Sequence, residues 1–208
     1  MKKEGMAYVI GFTFMVTFTM GILLSAAHTS TIDIVERNEL ERRKSTVLSA
    51  IGIGADSTEE IFAAYADLEL LAEGGPGLYI YSGEGEPIIA RQFSGPGVWG
   101  DIVAVVSVNA DVTRIIGVEI LDQNETPGLG GRVTGSAFLD QLRGERIGPD
   151  GVFVQTRGPG DYDAENAQID GITGATGTTR AFDRMLNREL QSLKEMVASE
   201  SVSLLIAR

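Results

Sequence analysis

The sequence predicts an α+β fold, with one N-terminal transmembrane helix followed by one globular domain that has a largely antiparallel sheet and flanking helices. Three observations carry this expectation. Residues 6–27 form an uncharged run of 22 residues, about 33 Å of helix and so the width of a hydrocarbon core. Beyond it, short Val- and Ile-rich runs occur in pairs around turn residues, which is the pattern of hairpins. About 180 residues remain after the run, enough for one domain with its own core and hardly two.

Taken in order, Lys2 and Lys3 precede the apolar run, and the first basic residue after it is Arg37, behind Asp33 and Glu36. This asymmetry sets the N-terminus inside and the domain on the extracytoplasmic side of the inner (cytoplasmic) membrane, although the later cluster Arg42, Arg43 and Lys44 weakens the count. A cleaved signal peptide competes for the same run because Ser25, Ala26 and Ala27 are small. The run is about twice the length of a signal h-region at its low end, which favours an uncleaved anchor. Ile32, Ile34, Val35, Leu40, Val47, Leu48 and Ile51 then recur at helical intervals until Gly52 and Gly54 break the pattern. The expected divisions are residues 1–28 for the tip and anchor, 29–54 for a membrane-proximal helix and 55–208 for the domain.

Within the domain, Ser57 with Glu60 fits a capping box ahead of a helix over 61–71, closed by Gly74-Gly75-Pro76-Gly77. Residues 78–81 and 87–93 flank Gly83-Glu84-Gly85 as one hairpin, and 101–108 and 114–121 flank Asn109-Ala110-Asp111 as a second. Helical spacing returns at 137–142, a strand is expected at 152–156, and a long final helix runs from about 178 to 198, followed by an apolar packing segment at 202–206.

Composition excludes several chemistries. With 17 basic against 29 acidic residues the net charge is −12, which repels a nucleic-acid backbone. There is no cysteine and only one histidine, His28, so disulfides, thiolate zinc, iron–sulfur ligation and c-type haem attachment are all removed. A Ser-His-Asp triad would have to recruit His28 from the end of the apolar run. Redox chemistry in this chain therefore requires an organic cofactor.

Three glycine-bearing loops carry the remaining information. The first, Gly95-Pro96-Gly97-Val98-Trp99-Gly100, sets the only tryptophan among residues without bulk; its flat face suits either a planar ligand or ordinary core packing. The second, Glu125-Thr126-Pro127-Gly128-Leu129-Gly130-Gly131-Arg132, follows an apolar strand and has glycines that permit close backbone approach. The third is Asp170-Gly171-Ile172-Thr173-Gly174-Ala175-Thr176-Gly177-Thr178-Thr179, opening onto the final helix. One threonine suffices to cap a helix, so three are left over. Free N–H groups and the dipole also make a helix N-terminus a phosphate site, yet neither a Walker A loop nor a Rossmann fingerprint is present.

Thr173-Gly174-Ala175-Thr176 after Asp170-Gly171 resembles the flavinylation motif of the FMN-binding domains of ion-translocating redox complexes, the Rnf G subunit and the C subunit of the Na+-translocating NADH:quinone reductase. Residues 125–130 are similar to that family's ETPGLG segment and residues 95–100 to its GxGxW segment, in the family's order and behind an anchor. The resemblance implies FMN joined to the hydroxyl of Thr176 through a phosphoester. Thr173, Gly174 and Ala175 would shape the loop and Thr179 would bond phosphate oxygens. Trp99, Glu125, Thr126 and Leu129 would lie near the isoalloxazine ring. Thr173 stands where serine is common, and Gly177 where a bulkier residue is frequent.

The function so implied is an electron relay within a membrane complex that couples ferredoxin:NAD+ electron transfer to Na+ or H+ translocation. The partners would be the other membrane and soluble subunits of an Rnf-type complex, with a separate Mg-dependent flavin transferase using FAD as donor for maturation. The short soluble part favours the Rnf-type subunit over the NADH:quinone reductase type. Two alternatives stand beside this reading: a membrane-tethered FMN reductase module serving a soluble acceptor, and a flavin-free sensory or scaffold domain.

Overall fold

The computed structural model describes residues 3–70, 77–83, 85–156 and 158–199. The glycine turn expected at 74–77 (save Gly77), Glu84 of the first hairpin turn and the segment at 202–206 lie outside the described residues. The chain divides into two compact units, residues 1–42 and 43–208.

Helix α1 (Lys3–Ile51) begins in the first unit. Its apolar part has a mean hydropathy of 2.0 over an 18-residue window and is long and apolar enough, by length and composition, to cross a membrane. Tyr8 with Phe12 and Phe14 with Phe18 stack one turn apart. The Thr17 hydroxyl donates to the Thr13 carbonyl at 2.9 Å, so it brings no unpaired polar group to the apolar surface.

In the second unit the last turns of α1 are core elements. Val47, Leu48, Ala50 and Ile51 are buried, and the helix stops where Gly52 adopts φ 88°. There the Gly52 N–H bonds the Ser49 carbonyl and the Ile53 N–H bonds the Leu48 carbonyl, satisfying carbonyls that a helix end leaves free. The Ser57 side chain caps α2 (Thr58–Ala66) by accepting from the Glu60 N–H at 3.2 Å. The Glu60 carboxylate reaches back to the Asp56 N–H at 3.0 Å, one residue earlier than a standard capping box.

The helix expected to reach residue 71 is shorter. It ends at Ala66, and β1 (Glu69–Leu70) instead pairs with β2 (Leu78–Tyr81). Strand ladders here outweigh a helical pattern that was sound on its own terms. With β3 (Ile88–Pro96), β4 (Asp101–Asn109) and β5 (Ile115–Asp122) these strands form a five-stranded sheet in sequential order, antiparallel throughout.

Both faces of the sheet are covered, which is why β4 reads as an almost unbroken apolar run. One face carries Ile102, Ala104, Val106 and Val108 against Phe182, Met185, Leu186, Leu190 and Leu193 of α4 (Thr176–Ala198). The other carries Tyr79, Ala90, Val105 and Leu121 with Val47, Leu48 and Ile51 of α1 and Ile61 of α2. A buried hydroxyl on β4, Ser107 Oγ, donates to the Ala50 carbonyl and ties the end of α1 to the sheet.

Between β5 and α4 the chain is irregular. The helical spacing at 137–142 resolves into a 3-10 turn over Gly130–Thr134, the short helix α3 (Ser136–Leu139) and a second 3-10 turn over Asp140–Leu142. The strand expected at 152–156 contracts to β6 (Phe153–Val154), which pairs in parallel with β7 (Gln168–Ile169). That pairing delivers the chain to Asp170 and the third glycine loop.

Candidate functional site

The three glycine loops meet at one buried carboxylate. Glu125, at the end of the segment after β5, is 5% exposed. Its Oε1 accepts from the backbone N–H groups of Val98 at 2.7 Å and Trp99 at 3.1 Å, in the tight turn between β3 and β4. Its Oε2 accepts from Thr178 Oγ1 at 2.5 Å, in the first turn of α4. Burial alone would raise the Glu125 carboxyl, but the hydrogen bonds from Thr178, Trp99 and Val98 outweigh it and hold the group below its usual value. It is thus an anion held by three donors, linking segments far apart in sequence.

Close packing around this carboxylate explains two of the glycines. A Cβ on Gly97 would come within 2.5 Å of Glu125 Oε1, and one on Gly130 within 2.5 Å of Oε2. No side chain fits at either position without displacing the carboxylate.

The four threonines of the third loop divide into two pairs. Thr178 and Thr179 are buried. Thr178 donates to Glu125, and Thr179 Oγ1 accepts from the Ile172 N–H at 3.0 Å, closing the loop on itself. Thr173 and Thr176 are exposed, with Thr176 the first residue of α4. The residue preceding the helix is Ala175, which offers no capping side chain. Capping therefore does not account for the threonines, and the N-terminal N–H groups of a 23-residue helix open beside the Thr176 hydroxyl. Gly174 turns the chain just before it with φ 83°.

Trp99 is 71% exposed, so the core-packing reading of the lone tryptophan does not hold. Val98 and Leu129 are also exposed, and a Cβ on Gly177 would lie 2.8 Å from Val98 Cγ2, so the tryptophan turn reaches the first residues of α4. Thr126 has an exposed side chain, and its carbonyl accepts from the Leu129 and Gly131 N–H groups at 3.1 and 3.0 Å, closing the Pro127-Gly128 turn.

Behind the loop, Asp170 Oδ2 accepts from the Gly160 N–H at 3.0 Å. Gln141 Oε1 accepts from the N–H groups of Asp170 at 2.9 Å and Asp161 at 2.7 Å. A cleft of about 370 Å³ opens on the Thr173 side, lined in part by Arg132, Phe138, Gln141, Gly171 and Thr173.

Sequence reasoning did not single out Thr178, Val98 or Arg132. The first two could not be recognised without the fold, because their partners lie 53 and 27 residues away. Arg132 did leave a signal, being the only cation within the three loops. Among the described residues no group of histidine and carboxylate side chains is arranged to hold a metal ion.

Comparison with known proteins agrees with this arrangement. Residues 97–191 match the profile of the FMN-binding domain. The chain is 28% identical over 117 residues to the C subunit of the Na+-translocating NADH-quinone reductase of Yersinia pestis, covering 53% of this chain and 43% of that protein. It is 31% identical over 116 residues to the G subunit of the Na+-translocating ferredoxin:NAD+ oxidoreductase complex of Acetobacterium woodii, covering 55% of this chain and 53% of that protein. The matches thus span about half, or less, of these relatives. In fold it is similar to the crystal structure of the C subunit of the Na+-translocating NADH-quinone reductase from Parabacteroides distasonis, with a TM-score of 0.66, 23% identity, and coverage of 80% of this chain and 96% of that one. Residues 97–191 of this chain are thus similar to an FMN-binding domain and lie behind an N-terminal apolar helix, and the chain is similar to those C and G subunits over about half of their length.

Proposed function

We propose that the chain is the electron-relay flavoprotein subunit of an Rnf-type membrane complex, and that its FMN is joined by a phosphoester to Thr176. The complex would couple ferredoxin:NAD+ electron transfer to Na+ or H+ translocation. The observation that carries this reading is the exposed Thr176 hydroxyl at the head of α4, with the tryptophan turn and the 125–132 loop locked beside it by Glu125.

Once bound, FMN supplies electron transfer in single steps. The chain's own residues do the rest. The free N–H groups and dipole of α4 stabilise the negative phosphate. Trp99 and Leu129, joined by Val98, present exposed apolar surface for the ring. Glu125 and Thr178 set where that surface stands, and Thr179 fixes the loop by accepting from the Ile172 N–H, which leaves its own hydroxyl hydrogen to donate to a phosphate oxygen. Thr173, Gly174 and Ala175 form the turn that leaves the Thr176 hydroxyl accessible, and Thr126 supplies the carbonyl that closes the turn ahead of Leu129.

Attachment falls to a separate Mg-dependent transferase with FAD as donor. The Thr176 Oγ–P bond would form as the P–O bond to AMP breaks, with release of the hydroxyl proton. The apolar run contains no charged residue, so translocation belongs to partner subunits. The domain faces the extracytoplasmic side, where a covalent tether prevents loss of the flavin.

Purifying the tagged chain from its native membrane tests this reading. We expect it to co-migrate with integral membrane subunits and to carry flavin through denaturation. Recovery of a flavin-bearing chain alone would favour a tethered reductase module instead.

A further inference from the structure

Arg132 lies at the junction of two of the loops. One Nη2 hydrogen is donated to the Thr173 carbonyl, and Nε donates to the Leu129 carbonyl at 3.4 Å. The guanidinium thus spans from the 125–132 loop to the residue that opens the Thr173-Gly174-Ala175-Thr176 turn. A Cβ on Gly174 would lie 3.9 Å from Nη2, so the cation sits over the turn itself. Among the described residues, Nη1 has no hydrogen-bond partner and no carboxylate lies within ion-pair distance of Arg132. In a chain of net charge −12, a cation fixed at a modification loop by two backbone carbonyls, with donors to spare, is arranged for an anion from outside the chain. A guanidinium keeps its charge at any working pH, and its planar fork can bond carbonyls on one edge and phosphate oxygens on another.

We infer that Arg132 is a positioning residue for flavin attachment: it holds the Thr173 turn in shape and uses its free N–H groups to bind the phosphoryl group carried to Thr176. This rests on the attachment proposed above. In that step Thr176 Oγ displaces AMP from the FMN phosphorus of FAD, one P–O bond replacing another, with no electron transferred and one proton released. The phosphodiester left on the chain keeps one negative charge, and Arg132 is the side-chain counterpart to the backbone N–H groups of α4. The cleft beside Arg132, open along Thr173, gives the incoming diphosphate an approach to that guanidinium.

The test follows flavinylation of the full chain in membranes by intact mass, with FAD and the transferase, for wild type, Arg132→Gln, Arg132→Lys and Arg180→Gln. Arg180, exposed at the start of the second turn of α4, controls for a general loss of charge. Thermal midpoints of loaded and unloaded chains are compared in parallel. We expect Arg132→Gln to load about tenfold or more slowly, the size of one charge-assisted hydrogen bond. Arg132→Lys should fall between it and wild type, and Arg180→Gln should stay near wild type. The unloaded midpoints should agree, and the rise in midpoint on loading should shrink in Arg132→Gln, a change that a purely transferase-contacting residue would not produce.

Wild-type loading and midpoint rise in Arg132→Gln would overturn the inference. So would Arg132→Lys no faster than Arg132→Gln, which would assign the effect to loop shape, or Arg180→Gln as slow as Arg132→Gln, which would make it diffuse. If the wild type itself takes up no flavin, the attachment at Thr176 fails, a result distinct from all of these.

Discussion

Replacing Thr176 by alanine is expected to abolish covalent flavin while leaving the domain folded. The side chain is exposed, the helix starts without help from its hydroxyl, and a surface substitution of this kind changes stability by about 0.5 kcal/mol or less. Thr176→Ser keeps a hydroxyl at the same place and should still be modified. Thr173→Ala should also be modified, since Thr173 contributes a backbone carbonyl to the Arg132 contact and its side chain is not the acceptor. Mass spectrometry of the denatured variants reads all three. Flavin retained on Thr176→Ala would move the attachment to another hydroxyl, with Thr173 the exposed alternative in the same loop.

The second large effect is expected at Glu125, and here the fold itself should suffer. Glu125→Ala leaves the Val98 and Trp99 N–H groups and the Thr178 hydroxyl without their shared acceptor. Thr178 is buried, and a buried donor stripped of its partner costs about 1–3 kcal/mol, whereas the Val98 and Trp99 N–H groups lie on an exposed turn where water can take the acceptor's place, so a loss of roughly 2–4 kcal/mol is expected for the three together. Glu125→Gln can still accept from Val98 and Trp99 and can offer its amide to Thr178, so its cost should be about 1 kcal/mol. Denaturant unfolding of the unmodified domain measures both.

Glu125 also gives the stability a pH dependence of known sign. Its folded carboxyl lies below the usual value despite burial, because its three donors favour the charged form. Its contribution is therefore complete above the ordinary carboxylate range and is lost as pH falls through the lowered folded value. In Glu125→Gln this acid-side loss should be reduced. A variant that unfolds along the wild-type pH curve would show that the carboxylate is not the tie we describe.

Much of the fold could be read from local pattern. The hairpins 78–93 and 101–121 and the Ser57–Glu60 cap depend on residues close in sequence, and the structure contains each of them. Errors arose where distant pairing decided the outcome. Residues 69–70 lie within a helical pattern but gain a strand partner in Tyr79 and Ile80. Gln168 and Ile169 are too short a run to signal a strand, and they become one only because Phe153 and Val154 lie alongside.

The site divides in the same way. The third loop and its helix are contiguous, so a crowd of threonines ahead of a helix was visible in the sequence. What each threonine does was not, because Thr178 is claimed by Glu125 and Thr179 by Ile172, leaving Thr176 at the surface. Glu125 was expected beside the ring. The structure adds a structural task to that expectation by giving both of its oxygens donors from the chain itself, a tie that no spacing rule could reveal at separations of 26, 27 and 53 residues.

The most direct measurement is the intact mass of the full chain produced with and without an active flavin transferase, with in-gel flavin fluorescence after denaturation. The account predicts a gain of one FMN less one water, dependent on the transferase and confined to the peptide bearing residues 173–179. An unchanged mass in the presence of a transferase shown to be active on another substrate would contradict it, and would leave a domain of this fold that holds no covalent flavin.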